Sequence, residues 1–129
     1  MSANPQADVM FKKGMEDLAA IDAWIDSEAI SDDIFGFHAQ QAVEKFLKAW
    51  LLFLGAKSAK KHDLRLLCLL VSEAGADVPD CFTALINLTD FATVFRYEIY
   101  DYSASFDRRE ILNNVQSCAD HVRALIFER

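Results

Sequence analysis

Apolar residues along this chain recur at steps of three and four, and no stretch alternates with the two-residue period of a strand. The first such segment runs from about Pro5 to Ser27, with Asn4 placed as N-cap and Pro5 at the first helical position. Its inner stripe reads Phe11, Met15, Leu18, Ile21 and Ile25. Ser31, Asp32 and Asp33 open the second segment and put acids at the positive end of a helix dipole. There, FGFHAQQAVEKFLKAWLLFLG carries one apolar row at Phe35, Ala39, Ala42, Phe46, Ala49 and Phe53, and a second at Val43, Leu47, Trp50 and Leu54. From Phe46 to Leu54 it is apolar on nearly every side, the mark of a central, buried helix. Its first half instead carries a polar ladder, His38, Gln41 and Lys45, which a protein partner, water or a ligand must satisfy, since an unpaired buried polar group costs about 1–3 kcal/mol.

Gly55 fits a left-handed cap at the end of this helix, and Lys57, Lys60 and Lys61 follow where the dipole is negative. A short, leucine-dense third helix is expected from His62 to Ala74, closed by Gly75. A fourth is expected from Pro79 and Asp80 to Arg96, with Phe82, Leu85, Leu88, Ala92 and Phe95 inward. RYEIYDYSASF reads as a non-helical connection. Asp107 and Glu110 have capping-box spacing ahead of a last helix whose stripe is Ile111, Val115, Cys118, Val122 and Leu125. The connections are short, so neighbouring long helices should run antiparallel. The expected architecture is all-α: an up-and-down antiparallel four-helix bundle with one additional short helix, forming a single domain over residues 1–129.

Composition narrows this further. A chain of 129 residues, 53% hydrophobic and with ten Phe, can bury a core without staples. Its net charge of −7 argues against a general nucleic-acid binder, although a local basic patch is compatible with it; solubility is the simpler reading. Cys68, Cys81 and Cys118 are odd in number, widely spaced and form no CxxC, as expected of reduced thiols in a cytoplasmic protein, with Cys68 and Cys118 as small core side chains. MSANPQADVMF lacks signal-peptide character, and no apolar run is long enough for a membrane span.

Metal chemistry finds no support: His38, His62 and His121 fall on different segments, and Glu-x-x-His is absent. No Gly-rich phosphate loop and no nucleophile elbow are present, and neither a cofactor nor a catalytic residue is assigned. Three clusters remain. His38, Gln41 and Lys45 read more simply as a hydrogen-bonded interhelical stripe than as a ligand face. Lys60, Lys61, His62 and Asp63 read either as caps around the third helix or as a phosphate site, the first being simpler. Arg96, Tyr97, Glu98, Tyr100, Asp101 and Tyr102 can stack and hold a nucleotide or RNA strand, or can cap the fourth helix and pack a dimer edge; both readings stay open.

Taken in order, FHAQQAVEKFLKAWLLFLG, KKHDLRLL and FRYEIYDY followed by a final helix resemble the HEPN domain (higher eukaryotes and prokaryotes nucleotide-binding) over nearly the whole chain. The resemblance implies an up-and-down helical bundle, a homodimer, and association with a minimal nucleotidyltransferase. Many members are ribonuclease toxins silenced by that partner in toxin–antitoxin pairs. Their motif is an Arg and a His with four to six residues between, two copies meeting at the dimer cleft. Arg96 matches the Arg, but the places for the His hold Asp101, Tyr102 and Ser103. Asp is a poor proton shuttle near neutral pH, and Tyr ordinarily titrates near pH ~10. The chain therefore looks like the branch with an Arg-Tyr motif, Arg96 and Tyr97, and no completed catalytic pair. The expectation is a non-catalytic homodimer that binds a nucleotide, RNA or the nucleotidyltransferase. Its site residues would be Arg96, Tyr97, Tyr102, His38, Gln41, Lys45, Lys61, His62 and Asp63. The alternatives are a metal-independent ribonuclease toxin that uses His38 or His62 as base, and a purely structural interaction module.

Overall fold

A computed structural model describes residues 4–56, 60–89 and 106–128. The described elements are helices α1 (Pro5–Ala23), α2 (Asp32–Phe53), α3 (Leu64–Glu73), α4 (Asp80–Thr83) and α5 (Arg108–Phe127), with a 3-10 turn at Ile86–Leu88 between α4 and α5. The protein is all-helical, and its helices pack antiparallel as a bundle. There is no strand among the described residues. All of the expected connection RYEIYDYSASF except Phe106, together with Ala92, Phe95 and Lys57, lies outside them.

Local sequence sets the helix ends. The Asn4 carboxamide oxygen accepts from the Ala7 N–H at 3.0 Å, while its Nδ2 donates to the Leu52 carbonyl at 2.8 Å. One side chain therefore caps the start of α1 and gives a second donor to a carbonyl in the last turn of α2, which ties the two helix ends together. Ser31 caps α2, Asp63 caps α3 and Asp107 caps α5, each accepting backbone N–H bonds from the first turn. Gly55 and Gly75 have φ of 86° and 95°. Each closes its helix with the paired bonds of a Schellman motif: Ala56 N–H to Leu51 and Gly55 N–H to Leu52, then Ala76 N–H to Val71 and Gly75 N–H to Ser72.

The core is organised around α2, which packs most extensively on α1 and also on α5 and α3. Its residues from Phe46 to Leu52 are all buried. The Phe46 ring takes the place opposite Gly14 on α1, where an added Cβ would come within 2.7 Å of the ring. Gly14 therefore lets the two helices approach closely. On the other side Trp50 meets Phe82 and His121, with ring centroids 5.6 and 4.9 Å away. The Arg108 guanidinium closes the end near the α1–α2 loop. It donates to the Asp32 carboxylate at 2.8 Å and to the carbonyls of Trp24, Ser27 and Ile30.

The observed stripes differ in detail from those expected. The buried row of α1 is Ala7, Phe11, Gly14, Leu18 and Ile21; Met15 is only half-buried, and Ile25 falls beyond the helix, in a turn after Ala23. The buried row of α5 is Leu112, Val115, Cys118, Ala119, Val122 and Ile126, so Ile111 and Leu125 flank the stripe. On α2, Leu54 is exposed and Phe53 half-buried. The expected fourth helix is interrupted at Ala84 and Leu85. Its inward residues Phe82, Leu85 and Leu88 recur every three positions. A tighter turn with three residues per repeat aligns such a row better than 3.6 does. Thr83 Oγ1 also bonds back to the Asp80 carbonyl at 3.1 Å, which competes with regular helix continuation. No described helix is long and apolar enough to cross a membrane.

Candidate functional site

Two polar networks lie on α2. The first faces α1. His38 and Lys45, seven residues apart and therefore on one face, both converge on Asp17 of α1. His38 Nδ1 lies 3.0 Å from Asp17 Oδ1, and Lys45 Nζ donates to Oδ2. A carboxylate only accepts, so the His38 hydrogen sits on Nδ1. The rings of Trp24 and Phe37 meet the imidazole edge-on at 5.2 and 5.4 Å. This is the interhelical stripe, with His38 and Lys45 engaged by the protein itself.

The second network is buried and faces the α2–α3 turn. Gln40, Glu44 and Lys48 repeat every four residues and are 0%, 4% and 8% exposed. Lys48 Nζ donates to Glu44 Oε2 at 3.3 Å. Gln40 Nε2 donates to Glu44 Oε1 at 3.2 Å and to the His62 carbonyl at 3.0 Å. His62 Nδ1 lies 3.0 Å from the same Glu44 oxygen. The carboxylate thus meets an ammonium on one oxygen and an amide plus an imidazole N–H on the other, the satisfaction that a buried charge requires. Gln41 Nε2 donates to Gln40 Oε1 at 2.7 Å, so the third member of the polar ladder borders this network.

The geometry around His62 differs from that at His38. Its side chain is 64% exposed, while the carboxylate that orients it is 5% exposed. With Nδ1 donating to Glu44, the neutral ring presents Nε2 as an acceptor, and the protonated ring presents a second N–H there. Lys60, Lys61 and Asp63 are exposed beside it. The Asp63 carboxylate accepts from the Arg65 N–H at 2.9 Å, which realises the capping reading for that residue. The preceding N–H of the helix start, on Leu64, donates to Thr89 Oγ1 at 3.0 Å.

The structure therefore joins Gln41 to His62 through Gln40 and Glu44, and assigns His38 and Lys45 to a separate pairing with Asp17. Arg96, Tyr97 and Tyr102 lie outside the described residues, as do Glu98, Tyr100 and Asp101. Asp17, Gln40, Glu44 and Lys48 were missed in the sequence. The i, i+4, i+8 spacing of the last three was a visible signal; Asp17 left none. The third histidine, His121, packs against Trp50 and Phe82, and burial pushes its pKa below the ordinary value. No group of three or more metal-ligating side chains converges among the described residues.

The chain is thus an antiparallel helical bundle whose central helix carries a buried network of Gln40, Glu44 and Lys48 beside a turn that presents the His62 imidazole. The family profile of the HEPN domain matches residues 7–128. The chain belongs to the HEPN domain family. No curated protein and no solved structure gives a significant match.

Proposed function

We propose that this HEPN domain is a non-catalytic homodimer that binds a nucleotide or single-stranded RNA beside the HDL turn and pairs with a minimal nucleotidyltransferase. The observation that carries the binding reading is His62: an imidazole open to solvent, yet held by a buried carboxylate at 3.0 Å. A solvated surface histidine gains little from such anchoring. A group that receives a phosphate gains a preset donor direction. Lys60 and Lys61 supply charge next to it on a chain that is otherwise acidic. Arg96, Tyr97 and Tyr102 enter this reading from the sequence, as a charge and two stacking faces.

The homodimer and the nucleotidyltransferase partner rest on the family resemblance. The absence of His from positions 101–103 supports the non-catalytic part. A second reading, a metal-independent ribonuclease toxin, draws support from the acceptor Nε2 that the Glu44 contact leaves on His62. The two readings separate on expression. A ribonuclease would arrest growth and leave cyclic-phosphate RNA ends, and Arg96→Ala would relieve the arrest; a binder would leave RNA intact. For the binder, titration with mononucleotides and short RNA should saturate and weaken with salt. His62→Ala and Lys61→Ala should each lower affinity by roughly 5–30-fold, corresponding to about 1–2 kcal/mol. Unchanged affinity in both variants would move the site away from this turn.

A further inference from the structure

The three histidines place the same nucleophilic ring in three different settings. His62 Nδ1 lies 3.0 Å from Glu44 Oε1, and its side chain is 64% exposed although the carboxylate that holds it is 5% exposed. The carboxylate only accepts, so the hydrogen sits on Nδ1 and the lone pair of the neutral ring is on Nε2. No group among the described residues bonds that Nε2. Gln40 Nε2 donates to the His62 carbonyl at 3.0 Å, so backbone and side chain are both tied to α2. His38 makes the same Nδ1 contact, with Asp17, but its side chain is 33% exposed and the rings of Trp24 and Phe37 meet it edge-on. His121 packs against the rings of Trp50 and Phe82. We propose that His62 is a phosphorylation site, its Nε2 taking a phosphoryl group from a small donor of the phosphoramidate class.

A nucleophilic imidazole must hold its hydrogen on the far nitrogen and leave the attacking one open to the donor. The Glu44 contact does the first, and the exposure of the ring does the second. With phosphoramidate as donor, the Nε2 lone pair attacks phosphorus, an Nε2–P bond forms, and the P–N bond of the donor breaks. The donor nitrogen, protonated before the attack, leaves as ammonia with the bonding electron pair. The ring keeps its Nδ1 proton and becomes a cation. The buried Glu44 carboxylate faces the nitrogen that carries this proton, as a buried Asp supports the imidazolium of a catalytic triad. Nothing is oxidised or reduced. Lys60 and Lys61, exposed beside the ring, offer charge to the oxygens of the incoming group. Once attached, that group brings about two negative charges into a turn that holds two lysines. His62 also serves the binding reading, but phosphorylation is read as a covalent bond and needs no nucleotide, RNA or partner at the turn.

The test uses the purified full chain and potassium phosphoramidate at neutral pH, with peptide mapping kept out of acid because the P–N bond hydrolyses there. The expected product is one phosphoryl group on His62, attached at Nε2 by NMR, formed at least about 5-fold faster than any adduct on His38 or His121. His62→Asn, which keeps a donor for Glu44, should take up no phosphoryl group at the turn. Glu44→Gln with Lys48→Met keeps the volume of the network but removes its charges. It should slow the reaction of His62 roughly 5–30-fold while His38, held by Asp17, keeps its rate. The ratio of two histidines in one molecule separates positioning by Glu44 from a general loss of structure. The wild-type product and its point of attachment decide the matter even if a variant fails to fold. No adduct, attachment at Nδ1, or His38 or His121 modified as fast as His62 would overturn the proposal, and so would an unchanged His62 rate in the folded charge-free variant.

Discussion

Glu44 is the residue on which the buried polar network turns. It is ringed by Lys48, Gln40 and His62, and neither of its oxygens lacks a donor. Truncating it to Ala leaves Lys48 buried without a counter-charge, and removing one partner of a buried pair costs about 3–5 kcal/mol. Glu44→Ala should therefore lower the urea midpoint sharply. The double variant Glu44→Gln with Lys48→Met, which removes both charges at similar volume, should recover most of that loss. A double variant as unstable as Glu44→Ala would show that the stability lies elsewhere than in charge compensation. The spacing of Gln40, Glu44 and Lys48 marks one helix face, but not that the face is buried. Gln40, Glu44 and Lys48 sit between apolar residues at a spacing that also suits an exposed helix face. Only the α2–α3 turn folding over them makes them interior.

Elements were legible where local chemistry controls them. The N-caps Asn4 and Ser31, the capping Asp107 and the left-handed Gly55 and Gly75 lie where their side-chain and backbone preferences put them. The interruption after α4 was not legible, because Phe82, Leu85 and Leu88 suit either a helix or a tighter turn until their neighbours are known. Gly14 was also passed over, since a glycine inside a helix announces nothing by itself. It matters through the partner helix. Gly14→Ala should gain about 1 kcal/mol of helix propensity but drive a Cβ into the buried Phe46 ring. Overpacking of this kind costs typically 1–3 kcal/mol, so a net loss of roughly 1 kcal/mol is expected in chemical denaturation. A more stable Gly14→Ala would mean that Phe46 has room to move aside.

At the scale of the whole molecule, pH reports on the packing of α5 against α2. Burial holds the His121 pKa below the ordinary imidazole value of about 6.5. Below that value the unfolded chain takes up a proton at this position while the folded chain resists it. Stability from this group is thus fully present above about pH 6.5 and is lost as pH falls toward the folded pKa. Denaturation midpoints measured from pH 7.5 down to 5 should show this loss, and His121→Gln should flatten that part of the slope. An unchanged slope in the variant would assign the pH response to other groups.

The sequence by itself determined the helical class, the burial of α2 and most helix ends. Those depend on periodicity and on interactions within one turn, which a short window of residues contains. Tertiary structure alone decided which polar groups pair. It brought Asp17 to His38 and Lys45, and His62 to Glu44. Such pairings depend on how helices rotate and pack against each other across tens of residues, and no local preference encodes that.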